Sequence, residues 1–193
     1  MLEGLGCSNS REESFRLGLI VENSDDLLEQ LATSQRIVDD IARHEKSQSK
    51  TPLHIIIRPW VLIPHSLEFR AFVHQRQLTA VSAYYRNELY PFLNPHKQAI
   101  LSSIIEFFEQ NLKVQLPMES SVLDLGLMLI DSNELYLGES QISHRLQQNQ
   151  YRVILIEINP FGKVSGAALF SWLEPVLTNG PLEFRLAHEE TFG

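Results

Sequence analysis

Three side chains with oxygen donors stand in stretches of sequence that are otherwise apolar. Asp124 lies within SSVLDLGLMLI (residues 120–130), while Glu157 and Asn159 end RVILIEIN just before Pro-Phe-Gly. Burying a carboxylate is costly unless a cation or hydrogen bonds compensate. No cysteine or histidine stands nearby at ligand spacing, so a hard cation such as Mg²⁺ suits this set better than Zn²⁺. The three residues predict a magnesium site. Because Mg²⁺ shares phosphate oxygens, they also point to a nucleotide.

Alternation of side chains along a strand gives this hypothesis its geometry. In a regular strand Glu157 and Asn159 share one face. Val153 and Leu155 are expected on that face, and Ile154, Ile156 and Ile158 on the other. We therefore expect a core-facing row that ends in two oxygen ligands. The alternative is that Asp124 and Glu157 pair with arginines at a sheet edge and that Asn159 only begins the Asn-Pro turn.

Two arginines form the complementary set. In LEFRAFV (residues 67–73), alternation puts Glu68 and Arg70 on the same face. Arg58 stands where the apolar run IIIRPW breaks at Pro59. A guanidinium can hold a phosphate through two parallel hydrogen bonds. Each arginine can equally form a structural ion pair with Glu68 or Asp124, and both interpretations stay open.

Composition limits the class of protein. The chain has 193 residues, 44% of them apolar, and a formal net charge of -8. That is enough for one core in one domain, and the negative charge argues against general binding to nucleic acid or anionic membranes. The single cysteine, Cys7, excludes an intramolecular disulfide. No signal peptide and no apolar run of about 20 residues is recognisable, so we expect a cytoplasmic protein. We also expect a monomer.

The elements that must position these residues follow from local patterns. Ser24 is expected to cap a helix over DDLLEQL, and a second helical segment runs through residues 37–41. The polar stretch EKSQSK (residues 45–50) indicates a loop, and LHIIIRPW (residues 53–60) indicates a buried strand. LEFRAFVHQRQLTAVSAYY predicts a hairpin that turns near Gln75 and Arg76.

The second half of the chain contains the clearest helix pattern. Asn94 is the expected N-cap and Pro95 the first helical residue. Its apolar stripe comprises Ile100, Leu101, Ile104, Phe107, Phe108 and Leu112. Residues 120–130 and 152–159 indicate strands, and AALFSWLEPVL (residues 167–177) a closing helix. Strands and helices do not alternate regularly, which favours an α+β fold over a doubly wound sheet.

Several stretches together resemble the cell division cycle protein 123 family, whose members have an ATP-grasp fold. They are IIIRPWVLIPHSLEFRAFV, LTAVSAYY, YPFL, SVLDLGL and VILIEINPFG followed by LFSW, in an order that agrees from Asn23 to Trp172. The resemblance implies an ATP site between two α+β subdomains. The implied nucleotide contacts are Arg58, Pro59, Trp60, Glu68 and Arg70, and the implied Mg²⁺ ligands are Asp124, Glu157 and Asn159.

The resemblance also implies a role. Eukaryotic members of that family assist assembly of the translation initiation factor 2 heterotrimer by binding its gamma subunit, so we expect an Mg-ATP-binding assembly factor. Two alternatives remain: an ATP-grasp ligase or phosphotransferase acting on a peptide or small carboxylate, and a degenerate interaction module that kept the fold but lost the nucleotide. No catalytic base is predicted.

Three departures from the family pattern bear on these expectations. Gly4 stands where the family has a nucleotide-binding lysine, and Ala83 where it often has glutamine. Residues 131–150 form an insertion between the strands of Asp124 and Glu157, either an extra hairpin, a mobile flap or a solvated loop without a role. We expect one ATP-grasp-like domain, comprising an N-terminal remnant (residues 1–50), a nucleotide-binding core (51–178) with this insertion, and a tail (179–193).

Overall fold

The computed structural model describes residues 20–47, 51–130 and 137–187, and the chain divides into two compact units, residues 1–60 and 61–193. The first unit contains helices α1 (Ser24–Thr33) and α2 (Gln35–Lys46). Asn23, not Ser24, is the N-cap of α1, since its Oδ1 accepts hydrogen bonds from the amides of Asp25 and Asp26. The predicted helix is confirmed, with its cap one residue earlier.

The predicted buried strand at residues 53–60 is wrong. This stretch has no regular secondary structure, and its side chains are exposed, Ile56 to 87%. The described part of the first unit contains two helices and no strand with which its amides could pair. Apolar β-branched sequence alone therefore does not form a strand here, because a strand needs a neighbouring ladder.

The second unit is built on a mixed five-stranded sheet. Its strands are β1 (Glu68–His74), β2 (Gln77–Ala83), β3 (Ser121–Leu129), β4 (Tyr151–Pro160) and β5 (Glu183–Arg185), in the order β4-β3-β1-β2-β5. β5 pairs in parallel with β2, and all other pairs are antiparallel. The predicted strands and the α+β class are confirmed, whereas β5 lies in the segment expected to be a tail.

The β1–β2 hairpin turns at the two predicted residues. Gln75 and Arg76 have φ values of 48° and 60°, and two successive positive φ values are typical of a type I′ turn. Neither residue is the glycine or asparagine that such turns usually contain. The turn is held from outside, because the Arg76 amide donates a 2.7 Å hydrogen bond to the Glu119 carbonyl.

Helix α3 (Lys97–Phe107) and the helical turns on either side of it pack against one face of the sheet. The helix follows a 3-10 segment, Pro91–His96, and continues as a π-helical turn, Phe108–Leu112. Helical structure thus begins before Asn94, which caps nothing. The predicted stripe is confirmed, since Ile100, Ile104, Phe108 and Leu112 are buried in the core.

The insertion contributes to this core. Helix α4 (Glu139–Gln147) buries Ile142 and Leu146, and Ser143 hydrogen-bonds His96 at 2.8 Å. These residues are neither a hairpin nor a solvated loop. Residues 131–136 of the insertion lie outside the described residues.

The opposite face carries a smaller core under residues 161–177. Phe72, Ala80 and Val122 from the sheet pack there against Phe170 and Leu177. The closing helix predicted for this segment is wrong, since only Pro175–Leu177 forms a 3-10 turn. Ala168 adopts φ 49°, and the Leu169 amide donates to Ser82 Oγ rather than to a preceding turn of helix.

Candidate functional site

One polar residue from every strand lies in a single row on the face of the smaller core. The row runs Glu157 (β4), Asp124 (β3), Arg70 (β1), Ser82 (β2) and Arg185 (β5), each directly opposite the next in the strand register. Residues directly opposite one another share a face of the sheet. The register therefore brings together residues that are up to 115 positions apart in the chain, from Arg70 to Arg185.

A β-bulge in β4 puts Glu157 into this row. Asp124 pairs with Glu157, but the next residue, Leu125, pairs with Leu155, so that Ile156 is the extra residue. The prediction that Leu155 and Glu157 share a face is therefore wrong, since Leu155 lies on the Leu125 side. Glu157 and Asn159 therefore do not end the row that faces the main core, because the bulge places them on the face of the smaller core.

Arg70 and Asp124 form a two-point ion pair at the centre of the row. Arg70 Nε donates to Asp124 Oδ1 and Nη2 to Oδ2, both at 2.8 Å. Asn159 Nδ2 donates to the same Oδ2 at 2.9 Å. The ion-pair interpretation thus holds for Arg70 and Asp124, although the pair lies inside the sheet and not at its edge.

Burial and the contact between the two side chains shift the pKa of both members of this pair. Desolvation raises the pKa of the Asp124 carboxyl, outweighing the lowering by its hydrogen bonds from Arg70, and the negative charge of Glu157 adds to the rise. Desolvation also lowers the pKa of Arg70, but its hydrogen bonds and charge interaction with Asp124 outweigh this, and that pKa is raised overall. A second cation near Asp124 would lower the energy of its ionised form.

Arg70 is also held on its other side. Its Nη1 donates to the Gly166 carbonyl at 2.7 Å, and its guanidinium carbon lies 4.9 Å from the centre of the Tyr84 ring. A side chain at position 166 would bring its Cβ within 3.2 Å of Nη1. Glycine therefore permits the close approach of this carbonyl.

The remaining predicted residues are distributed unevenly. Glu68 is buried on the same face, two residues from Arg70 and opposite Gly126. Arg58, Pro59 and Trp60 are exposed residues of the first unit. Ala83 is buried in the main core, and Gly4 lies outside the described residues. The structure thus brings together the following five predicted residues: Glu68, Arg70, Asp124, Glu157 and Asn159.

Ser82 and Arg185 of the polar row were not predicted as site residues. A signal for Arg185 exists, since the tetrapeptide LEFR occurs twice, at residues 67–70 and 182–185. Phe69 and Phe184 of the two copies contact each other edge to face at 5.7 Å, and the two arginines share the polar row. Arg185 binds Glu174, Glu183 and the Leu169 carbonyl.

The donors fit a hard cation in type. Asp124 accepts three hydrogen bonds and keeps lone pairs on Oδ1, and Glu157 is exposed beside it without a hydrogen-bond donor among the described residues. No group of three or more His, Cys, Asp or Glu side chains at metal-binding distance exists within residues 20–47, 51–130 and 137–187. Two carboxylates with an amide suit Mg²⁺, which keeps several waters and shares phosphate oxygens.

In the same described ranges, no helix is long and apolar enough to cross a membrane.

The chain has an α+β fold of the ATP-grasp-like type. The structure is similar to that of Cdc123 from Schizosaccharomyces pombe, with a TM-score of 0.59 and 22% sequence identity over 88% of this chain and 63% of that one. The D123 family model matches residues 12–191, and the chain belongs to this family. The predicted family is thereby confirmed.

Relatives with curated names agree with this family. The chain is 30% identical to the translation initiation factor eIF2 assembly protein of Danio rerio over 71% of this chain and 33% of the relative. It is 31% identical to cell division cycle protein 123 of Aspergillus terreus over 72% of this chain and 29% of the relative. The chain therefore spans about a third of the length of these relatives.

Proposed function

We propose that this chain binds ATP with Mg²⁺ and takes part in assembling translation initiation factor 2 through its gamma subunit in the cytoplasm. The observation that carries the proposal is the order Glu157, Asp124, Arg70 in neighbouring strands. A carboxylate pair for a metal and a guanidinium for a phosphate then stand side by side, which a metal-nucleotide complex requires.

The residues divide the task by charge. Asp124, Glu157 and Asn159 would hold Mg²⁺, which neutralises phosphate charge when bound. Arg70 has five N–H groups, three of which are used by Asp124 and Gly166, so two remain to donate to phosphate oxygens. Tyr84 supports the guanidinium from one side of its plane.

Glu68 lies along β1 on the face of Arg70 and is a further candidate for nucleotide contact. For Arg58, Pro59 and Trp60, which belong to the first unit, the adenine-side contact implied by the family resemblance stays a prediction. The names of the relatives support the assembly role, since several are called translation initiation factor eIF2 assembly proteins.

One observation favours a second candidate, an interaction module that has lost the nucleotide. Asp124 is already engaged by Arg70 and Asn159 in three hydrogen bonds. An ion pair satisfied in this way stabilises the sheet without any ligand, and Mg²⁺ would have to share the carboxylate with it. This candidate predicts that ATP with Mg²⁺ does not raise the Tm.

Calorimetric titration of ATP, with and without Mg²⁺, tests the proposal. The wild type is compared with the Asp124→Asn, Glu157→Gln double variant and with Glu109→Gln as control, which removes a carboxylate paired with Lys113 on the helical segment after α3. We expect Mg²⁺-dependent binding by the wild type and the control and none by the double variant. Absence of binding by folded wild type would support the interaction module instead.

A second experiment tests the client. The purified gamma subunit of translation initiation factor 2 is titrated into the chain with ATP and Mg²⁺, and with each omitted. We expect binding that is stronger with the nucleotide. If ADP is instead released only when a peptide or small carboxylate is added, the chain acts as a ligase or phosphotransferase.

A further inference from the structure

A short segment without regular structure, residues 166–169, runs along the polar row from Arg70 to Arg185. We call it the strap. Three backbone groups of the strap bind three neighbouring members of the row. The Gly166 carbonyl accepts from Arg70 at 2.7 Å, the Leu169 amide donates to Ser82 Oγ at 3.2 Å, and the Leu169 carbonyl accepts from Arg185 at 3.1 Å. The strap is therefore fixed to β1, β2 and β5 at once.

Ser82 is the interior anchor of the strap. Its side chain is fully buried, and its hydroxyl donates to the Ala83 carbonyl at 2.6 Å while accepting from Leu169. It stands directly opposite Arg70 in the β1–β2 register, on the side away from Asp124. Strand β1 therefore separates Ser82 from β3 and β4, which carry the proposed metal ligands.

The strap in turn determines how Arg70 presents its donors. Asp124 binds Nε and Nη2, which fixes one edge of the guanidinium, and the Gly166 carbonyl binds Nη1 at the other end. Since Ala168 has φ 49°, the strap backbone is in a conformation that alanine rarely adopts, so it depends on its anchors to stay in place. Losing the Ser82 anchor should shift Gly166 and with it Nη1.

We infer that Ser82 is a positioning residue for Arg70: through Leu169 and the strap it aligns the guanidinium for the polyphosphate of a nucleotide. The inference rests on the proposed nucleotide binding and adds a residue to it. It predicts that binding of polyphosphate and binding of the metal ion respond differently when the strap is loosened. Loosening the strap should weaken binding of polyphosphate and leave binding of the metal ion by Asp124 and Glu157 unchanged.

The test compares Ser82→Ala with Thr79→Val. Thr79 is also a buried hydroxyl of β2, but its Oγ1 lies 3.1 and 2.9 Å from the carbonyl oxygens of Phe72 and Leu177, away from the strap. Tripolyphosphate with Mg²⁺ and ATP with Mg²⁺ are titrated calorimetrically, and Mn²⁺ alone is titrated by electron paramagnetic resonance. For Ser82→Ala we expect Kd values for both phosphate ligands to rise about fivefold, as for one lost hydrogen bond, with Mn²⁺ affinity unchanged. Thr79→Val should change neither.

Each other result has a defined meaning. If the wild type binds tripolyphosphate and Ser82→Ala binds it equally well, or if Thr79→Val weakens it as much, the positioning role is wrong and the proposed function stands. If the folded wild type binds neither tripolyphosphate nor ATP in the presence of Mg²⁺, the proposed function is wrong and the positioning role falls with it. Should Ser82→Ala not fold, Arg185→Met removes the bond to the Leu169 carbonyl together with the ion pairs to Glu174 and Glu183. The same difference between phosphate binding and Mn²⁺ binding is then expected.

Discussion

Arg70 and Asp124 face each other across β1 and β3 and are joined by two hydrogen bonds of 2.8 Å each. Both side chains are nearly buried, at 11% and 6% exposure. Arg70→Met leaves a buried carboxylate without its cation, and we expect it to lower the free energy of unfolding by about 3 kcal/mol. Urea denaturation measures this loss.

The double variant Arg70→Met, Asp124→Leu provides the control for that prediction. It removes both charges together, so no buried charge is left without a partner, and its loss should be smaller than that of Arg70→Met alone. If the loss of the double variant equals the sum of the losses of Arg70→Met and Asp124→Leu measured singly, the two residues are not coupled and the prediction is contradicted.

Ala168 has φ 49°, a conformation that disfavours a side chain. Glycine avoids the clash that the alanine side chain makes in this conformation, although it loses more entropy on folding. Because relief of the clash is the larger effect, we expect Ala168→Gly to raise the free energy of unfolding by about 0.5 kcal/mol. The matched control is Ala167→Gly, one residue earlier in the strap, which should lower it by a similar amount. Thermal unfolding of both variants checks the signs, and equal destabilisation by both would contradict the prediction.

Local sequence patterns predicted the parts of the fold that depend on neighbours in the chain. The β1–β2 hairpin, the α3 stripe and the β3 and β4 strands follow from alternation, helical periodicity and turns, which are properties of consecutive residues. Segments whose structure depends on distant partners were predicted wrongly. Residues 53–60 have no strand to pair with in the described part of their unit. In residues 167–177 the Leu169 amide donates to the Ser82 hydroxyl and not to a carbonyl of a preceding helical turn.

The candidate site shows the same division. Oxygen donors in apolar strands predicted Asp124, Glu157 and Asn159 as metal ligands, and this role stays a prediction. The register and the Asn159–Asp124 hydrogen bond show that the three residues lie close together. The bulge at Ile156 could not be predicted, because strict alternation assumes a regular strand. Ser82 was missed because a small hydroxyl in an apolar strand gives no signal until its partner is known.

Glu174 and Arg185 give the smaller core a pH dependence. The hydrogen bond from Arg185 lowers the pKa of Glu174 below its usual value of 4.5, so the pair stabilises the fold above that value and the contribution is lost as the pH falls through the lowered pKa. The difference in unfolding free energy between wild type and Glu174→Gln should therefore be constant near neutral pH and shrink below pH 4.5. Denaturation curves at a series of pH values measure it, and a difference that grows on acidification would reverse the sign and reject the prediction.

Gly126 is required by packing beside the bulge. A Cβ at this position would lie 2.6 Å from Cδ1 of Ile63 and 3.2 Å from Cδ1 of Ile156. Because Cδ1 of Ile63 is the end of a buried side chain that has to turn away, we expect Gly126→Ala to lower the free energy of unfolding by about 1 kcal/mol. Ile63→Val removes the atom that is closest to the new methyl group, so the double variant should be more stable than Gly126→Ala alone. Chemical denaturation of the three variants tests this, and a double variant that loses the sum of both single effects would show that the clash with Ile63 is not the cause.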